Sequence, residues 1–364
     1  MDYKYDPQAA LFTIFLTVLM VAFFFKGYYS NKLKTNNNYV LVFLLMSLIS
    51  VFAFTEYDLY HYHTMYDLMV RHKEAEHVED YYFWLSQVLP NNYYLWRFAI
   101  WGGACLLLVF ALRIMKLNAT IAGAFIPVLL IGRFVVSRAS FGLSVLLLSL
   151  VLLLLPGKNR YVRMIGLLGI AASLFLHDSM LVFVPIAILS LVLPINKKIV
   201  ILSLIAFPFL YVSVMTLSER VLDAYGLVEE NRIFSYLEGD ALEASLIGQI
   251  YDMAKKIPLL LMLYSISNYY LNFNKTSRSK YEMTYFYFYK ISYVFIYVSF
   301  LFYMQDVSDW ISRRVYDAGL FPLLLCLTYY MWKNKRTTFD KVYISAWLFM
   351  LFFGEFYFIH DVSR

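Results

Sequence analysis

Residues 164–193 read MIGLLGIAASLFLHDSMLVFVPIAILSLVL, an apolar stretch whose ionisable side chains, His177 and Asp178, lie near its middle. One long helix over this stretch would leave Asp178 inside a bilayer, at a cost of about 2.5–3.5 kcal/mol. Two shorter helices with a polar turn between them avoid that cost. The stretch therefore predicts a helical hairpin with His177 and Asp178 at the membrane surface.

Long apolar runs of this kind recur along the whole chain. The sequence is 61% hydrophobic and 15% charged, and its mean hydropathy is +0.62, whereas soluble domains are about 45–50% apolar and about a quarter charged. A helix needs about 20 apolar residues to cross the hydrocarbon core of a bilayer. We therefore predict an all-α, polytopic transmembrane helical bundle of about twelve spans, with 1–364 forming a single transmembrane domain. The predicted spans are 9–25, 39–55, 95–112, 119–132, 140–155, 164–176, 180–193, 199–215, 257–271, 283–304, 315–332 and 342–358.

The placement of charge supports this span count, because cytoplasmic loops of membrane proteins collect Lys and Arg. Every second loop is basic, and the acids in these loops are Glu282 and Asp340 alone. A single helix over 164–193 would reverse the alternation for every later loop. We therefore expect both termini outside, on the same side as His177. The basic residues of the alternate loops are Lys26, Lys32, Lys34, Arg113, Lys116, Lys158, Arg160, Arg163, Lys197, Lys198, Lys275, Arg278, Lys280, Lys333, Lys335, Arg336 and Lys341.

The net charge of +6 follows from these inner loops. Anionic lipid at the inner membrane face attracts such bases, so the lipid bilayer is the predicted partner and nucleic acid is not. Two outer segments, 56–94 and 216–256, are too long to be simple turns, and both are acidic and rich in Tyr. They are the predicted first and second large external loops, and the second is a candidate lid.

Arginines at the outer ends of the spans are the most informative polar residues, because the positive-inside rule disfavours them there. Their positive charge is balanced either by nearby acids, such as Asp306, Asp309 and Asp317, or by an anionic ligand. A guanidinium holds a phosphate through two hydrogen bonds, so converging arginines would suit a lipid diphosphate. The arginines in question are Arg97, Arg133, Arg138, Arg313 and Arg314.

The predicted hairpin turn carries a candidate proton acceptor. An imidazole titrates near neutrality, so His177 could take a proton from an attacking hydroxyl, although a structural role is the alternative. Glu56 and Asp58 could orient a sugar hydroxyl or pair with an arginine, or be solvated loop acids. The pair His61-x-His63 lacks a third ligand at a recognised spacing, so we predict no metal site.

Three motifs carry a family resemblance, and the third is the most specific. They are Glu56-Tyr57-x-x-Tyr60, Arg133-x4-Arg138 before a small-residue span, and Ala171-Ala172-Ser173-Leu174-Phe175-x-His177-x-Ser179. Together they resemble the EpsG-like branch of the Wzy-type bacterial polysaccharide polymerases. The family usually has Asp where this chain has Glu56, and Asp58 is an alternative carboxylate. The resemblance covers about 55–185, and Arg313-Arg314-x-Tyr316 extends it.

The resemblance implies a GT-C-like polymerase architecture and a glycosyltransferase that needs no metal, nucleotide or other cofactor. The enzyme would transfer a growing glycan from undecaprenyl diphosphate to a sugar hydroxyl of a lipid-linked repeat unit, in O-antigen, capsule or exopolysaccharide synthesis. It would be a multi-pass protein of the bacterial cytoplasmic (inner) membrane, with its active site facing the periplasm or exterior. A chain-length regulator and a flippase are the protein partners implied. The catalytic residues implied are His177, Arg138 and Glu56, and the substrate-binding residues are Arg133, Arg313, Arg314, Tyr57, Asp58, Tyr60, Tyr316 and Asp178.

Two other functions are alternatives. A flippase or exporter of lipid-linked glycan would place charged residues deep in the spans, where this chain has mainly Lys290 and Glu355. A membrane O-acyltransferase of surface glycans often carries an Arg or His in its first span, and 9–25 contains neither. Both alternatives are therefore less favoured than the polymerase.

Overall fold

A computed structural model describes residues 7–29, 38–52, 56–73, 79–134, 137–202, 266–267, 269–271, 280–303 and 309–333. Within these ranges the regular structure is helical and no strand occurs. The chain divides into two compact units, the first formed by Met1–Val184 with Leu324–Arg364 and the second by Pro185–Leu323. The all-α prediction is therefore confirmed for the described part of the chain.

Helices occupy the predicted spans wherever the structure describes them. The three spans 199–215, 257–271 and 342–358 lie wholly or largely outside the described residues. The helices are α1 Pro7–Tyr29, α2 Asn38–Phe52, α3 Glu56–Asp67, α4 Asp80–Val88, α5 Tyr93–Arg97, α6 Gly103–Ile114, α7 Ala119–Phe134, α8 Ala139–Leu154, α9 Arg160–Ser173, α10 Met180–Val192, α11 Lys280–Tyr303 and α12 Asp309–Lys333.

One continuous helical run, Tyr93–Ile114, is long and apolar enough to cross a membrane, judged by length and composition over the described residues. It joins α5 to α6 through a π-helical turn, Phe98–Gly102. The number of spans and the outward position of the termini stay predictions. Shorter apolar helices are Phe15–Phe24, Asn38–Phe52, Ala139–Leu154 and Met180–Val192.

Helices α8 and α9 form a closely packed antiparallel hairpin. A Cβ atom on Gly166 would lie 2.8 Å from the carbonyl oxygen of Ser149 and 3.0 Å from the amide nitrogen of Leu153, so the absence of a side chain allows the two backbones to approach. The Asn159 side chain accepts a hydrogen bond from the Val162 amide at 3.0 Å and caps the start of α9. Because the pair is antiparallel, the start of α8 and the end of α9 lie together, opposite the basic loop at Lys158.

The apolar stretch 164–193 is two helices, as its polar centre predicts. Three i→i−3 hydrogen bonds close the end of α9, with the amides of Leu174, Phe175 and Leu176 as donors. The chain then turns, and the Met180 amide donates to the His177 carbonyl at 2.8 Å as α10 begins. His177 therefore lies in a break between helices and not within one.

The first predicted external loop, 56–94, is largely helical, comprising α3, a π-helical turn at Leu68–His72, α4 and the start of α5. Its aromatic side chains pack into a buried core, which we call the aromatic cluster. The Trp96 indole Nε1 donates to the Tyr82 carbonyl at 3.0 Å, and the Gln87 side chain donates to the Met69 carbonyl at 2.9 Å. Burial of these rings against one another favours a fixed position for α4. The aromatic cluster consists of Tyr62, Tyr66, Tyr82, Trp96 and Trp101, with Met65, Met69 and Ile100.

In the second unit, α11 and α12 pack through small residues. The Ser292 hydroxyl donates to the Gly319 carbonyl at 2.8 Å. The predicted span 283–304 contains Lys290, and this side chain is buried, with its Nζ donating to the Leu191 carbonyl at 2.9 Å. The last turn of a helix has carbonyls without a partner inside that helix, so this lysine caps the end of α10.

Candidate functional site

Arg138 lies at the first residue before α8, at the end of the hairpin opposite the basic loop. At the start of this helix the Ser137 hydroxyl accepts a hydrogen bond from the Ala139 amide at 3.2 Å. The guanidinium is consequently not engaged in capping the helix. Its side chain is mostly buried, with 24% exposed.

His177 lies at the same end of the hairpin, in the turn between α9 and α10. Its Nδ1 accepts a hydrogen bond from the Ser179 amide at 3.0 Å. An acceptor nitrogen cannot carry a proton, so the neutral ring carries its proton on Nε2. The side chain is buried, and Asp178 beside it is exposed.

Glu79 joins these two residues. Its carboxylate Oε2 lies 3.7 Å from Arg138 Nη1, and its Oε1 lies 3.5 Å from His177 Nε2. We call this set the Glu79 cluster. Glu79 precedes α4 with an extended backbone, and its carbonyl accepts the Tyr82 amide at 2.9 Å. The backbone therefore starts the helix while the carboxylate reaches the hairpin.

The contact between Arg138 and Glu79, at 3.7 Å, is longer than an ordinary hydrogen bond and acts mainly through charge. The Glu79 side chain is 16% exposed, so solvent screens its attraction to Arg138 less than on an open surface. At an effective dielectric of about 20, unit charges about 4 Å apart attract by about 4 kcal/mol before desolvation is subtracted. The pair therefore favours docking of the 79–88 segment onto the hairpin.

A ring stack borders the Glu79 cluster. Tyr81 and Phe141 stack with ring centroids 5.5 Å apart and planes inclined at 27°. Burial raises the pKa of Tyr81, and the charge of Glu79 adds to the rise while Arg138 opposes it. The Tyr81 phenol is therefore protonated at neutral pH and retains its hydroxyl hydrogen as a donor.

Arg97, another of the predicted outward arginines, lies within the aromatic cluster. Its guanidinium carbon is 5.2 Å from the Trp101 ring centroid and 5.9 Å from that of Tyr93, and the residue is 2% exposed. Cation–π contact with two rings stabilises a buried guanidinium. Both rings lie in the same helical run as Arg97, on α5 and on the π-helical turn that follows it.

The first motif lies on α3. Glu56, Tyr57, Asp58 and Tyr60 have helical backbone, and their side chains lie outside the described part of the structure. The same is true of Arg133 on α7. Their predicted catalytic and binding roles stay predictions.

The remaining predicted residues lie on α12, in the second unit. Arg314 is partly buried and Tyr316 is buried, whereas the Arg313 side chain lies outside the described residues. Their role in binding substrate stays a prediction. Of the predicted site residues described with side chains, Arg138 and His177 are the two that the structure brings to one carboxylate.

Glu79 is absent from the predicted site. It stands at the end of an acidic stretch, EAEHVED at 74–80, where nothing local distinguishes it from its neighbours. The one available signal is the change from acids to the aromatic run YYFW at 81–84, which predicts the start of a buried helix. A carboxylate at that boundary can lie at the edge of a folded core.

The Glu79 cluster combines a carboxylate, a permanent cation and an imidazole at one end of a helical hairpin. A carboxylate can accept a proton, and a guanidinium can stabilise a phosphate or another anion. Among the described residues, His, Cys, Asp and Glu side chains form no group of three that could hold a metal ion. The set suits acid–base chemistry beside an anionic group.

Comparison with known proteins gives one match. The family model described as the EpsG family matches residues 36–364. No curated protein matches the chain, and no solved structure matches it. The matched region includes the Glu79 cluster, the whole second unit, and residues 36–184 and 324–364 of the first unit.

Proposed function

The chain belongs to the EpsG family, and on this premise we propose that it is a polysaccharide polymerase. The reaction is transfer of a growing glycan from a polyprenyl diphosphate carrier to a sugar hydroxyl of a lipid-linked repeat unit. Family membership and the apolar helices indicate a membrane protein. The proposed location of the reaction is the outer face of the bacterial cytoplasmic membrane.

The observation that supports this function is the Glu79 cluster, which unites Arg138 with His177. Glycosyl transfer from a diphosphate needs stabilisation of the departing negative charge and a group that takes the hydroxyl proton. Arg138 is proposed to stabilise the departing charge, and the other two residues of the cluster are candidates for the proton acceptor. The diphosphate of a lipid carrier lies at the membrane surface, the depth predicted for the hairpin turn.

Arg138 is the residue that we propose binds the diphosphate, because a guanidinium keeps its charge and can donate two hydrogen bonds to phosphate oxygens. Arg133, Arg313 and Arg314 are proposed to add positive charge to the same group. Tyr57, Asp58, Tyr60, Tyr316 and Asp178 are proposed to contact the sugars or the carrier. Glu56 and His177 are the proton acceptors suggested by the sequence motifs.

The hairpin supports the proposal that the site faces the outer side of the membrane. Arg138 and His177 lie at the end opposite the loop that carries Lys158, Arg160 and Arg163. Basic loops face the cytoplasm, so the Glu79 cluster would face outward. An undecaprenyl-diphosphate oligosaccharide, a chain-length regulator and a flippase are the proposed partners.

The decisive experiment is incubation of the purified protein with lipid-linked repeat units, followed by separation of the products by gel. A polymerase produces a ladder of lipid-linked oligomers from one defined unit. A flippase or exporter moves the unit across a vesicle bilayer without a ladder, and an O-acyltransferase changes the mass of the unit by an acyl group. Either of these results, without a ladder, would contradict the proposed function.

A further inference from the structure

We infer that Glu79 is the proton acceptor of the transfer reaction and that His177 is a positioning residue. The inference rests on the proposed polymerase function and assigns a role to a carboxylate outside the three sequence motifs. It depends on which atoms the two ring nitrogens of His177 contact and on the position of Arg138.

Both nitrogens of the His177 ring are directed within the protein. Nδ1 accepts the Ser179 amide at 3.0 Å, and Nε2 faces Glu79 Oε1 at 3.5 Å. A neutral ring in this state has its hydrogen on Nε2 and its lone pair occupied at Nδ1. To accept a proton from a substrate, the imidazole would have to lose its backbone hydrogen bond or turn away from Glu79.

A carboxylate offers more lone-pair sites than an imidazole. A carboxylate has two oxygens with about four lone-pair sites and accepts a proton without losing its other contacts. The Nε2–H of His177 and the guanidinium of Arg138 approach different oxygens of Glu79. These two donors orient the carboxylate, which is the role that we assign to His177.

The position of Arg138 links proton transfer to departure of the diphosphate. The acceptor hydroxyl gives its proton to Glu79, and the oxygen forms a bond to the anomeric carbon. The bond from that carbon to the diphosphate oxygen breaks, and its electron pair stays on the diphosphate. Glu79 thereby loses its negative charge as the diphosphate gains one. Arg138 neutralises the Glu79 carboxylate before the transfer and the departing diphosphate after it.

The first test compares Glu79→Gln with Asp80→Asn in the purified full-length protein. Gln keeps the size and polarity of Glu79 but cannot accept the proton, so turnover should fall by about 10²- to 10⁴-fold. Binding of the lipid-linked unit, measured separately with a labelled substrate, should change by less than about threefold, because Arg138 is intact. Asp80 is exposed beside Glu79, and the Asn variant should keep wild-type turnover. Wild-type turnover in Glu79→Gln would overturn the inference.

The second test separates a proton acceptor from a residue that only supports the fold. Formate added to Glu79→Ala should restore part of the lost turnover, whereas formate should not affect His177→Gln. The Gln amide at 177 can still donate to Glu79, so this variant should retain more activity than Glu79→Gln. Equal losses in His177→Gln and Glu79→Gln, with no rescue by formate in Glu79→Ala, would overturn the assignment of Glu79 as the acceptor.

The third test needs no substitution and so does not depend on whether the variants fold. Turnover of the wild type should decrease at acid pH, as the acceptor becomes protonated. The ionisation enthalpy of a carboxyl group is small and that of an imidazole is large, so the midpoint of this decrease should change little with temperature. A midpoint that shifts strongly on warming contradicts a carboxylate acceptor. A covalent glycosyl adduct on Glu79 in a quenched reaction would also overturn the inference.

The experiments distinguish failure of the proposed polymerase function from failure of the role assigned to Glu79. If the wild type forms a ladder and Glu79→Gln forms the same ladder at the same rate, only the role of Glu79 fails. If the wild type forms no ladder from a bound lipid-linked unit, the polymerase function fails, and the role of Glu79 fails with it.

Discussion

His177 Nε2 lies 3.5 Å from Glu79 Oε1, and Arg138 Nη1 lies 3.7 Å from the other oxygen of the same carboxylate. The three residues come from the segment before α4, the start of α8 and the turn after α9. One carboxylate therefore connects the segment before α4 to both helices of the hairpin.

Replacing Arg138 with Ala should abolish long polymer, because the departing diphosphate loses its cation and Glu79 loses its ion pair. Arg138→Lys should retain partial activity, since an ammonium keeps the charge but not the two-pronged hydrogen bonding. The measurement is the oligomer ladder at equal protein level. The control is Arg71→Ala, because Arg71 is an exposed arginine paired with Asp67 on the same helical segment. A normal ladder from Arg138→Ala would remove Arg138 from the site.

Replacing Trp96 with Phe should reduce turnover severalfold without changing the reacting groups. The change removes the indole hydrogen bond to the Tyr82 carbonyl and leaves that buried acceptor without its donor, at a cost of about 1–3 kcal/mol. Helix α4, which follows Glu79, should then be less firmly held. The matched control is Trp84→Phe, whose side chain is 60% exposed. Similar turnover in both variants would show that the aromatic cluster does not position Glu79.

Replacing Gly166 with Leu should destabilise the hairpin by about 1–3 kcal/mol or more, because its Cβ would overlap the backbone at Ser149 and Leu153. Thermal unfolding in detergent should show a lower midpoint. Leu168→Ala is the control on the same helix, where the side chain is exposed. An unchanged midpoint for Gly166→Leu would mean that α8 and α9 do not pack as closely as described.

Replacing Lys290 with Met should lower stability by about 0.5–1.5 kcal/mol, since the partly buried Leu191 carbonyl loses its donor and Met cannot replace it. The unfolding midpoint in detergent measures the effect. Lys333→Met provides a control at an exposed lysine. Equal midpoints for the two variants would contradict a capping role for Lys290.

Acidification should loosen α3 through His63. Burial lowers the pKa of His63 below its ordinary value of about 6.5, and the charge of Asp67 opposes this while Arg71 supports it. Between the pKa of His63 in the folded state and its pKa in the unfolded state, the folded state binds fewer protons than the unfolded state. The free energy of unfolding therefore falls as pH decreases below about 6.5. Amide protection factors in α3, which compare each exchange rate with the intrinsic rate at the same pH, should be lower at pH 5 than at pH 7.5. The difference should shrink in His63→Gln, and a difference of the same size in that variant would assign it to other groups.

The helical part of the fold is predictable because its signals are local. An apolar run with a polar centre becomes two helices at His177, since backbone hydrogen bonding and burial within one segment decide that outcome. Cys105 and Cys326 lie within the predicted spans 95–112 and 315–332, and both are buried thiols in the structure. Arg138 and His177 are predicted on one side by the alternation of basic loops, and they meet at one carboxylate.

The sequence by itself determined the helical character of the described chain, the break in the hairpin and the family to which the chain belongs, because each depends on residues close together along the chain. Tertiary structure alone decided that Glu79 is the partner of Arg138 and His177. That contact requires α4 to dock through the aromatic cluster, and docking depends on side chains from several helices at once. Nothing in the acidic stretch 74–80 distinguishes the acid that reaches the hairpin until those helices pack.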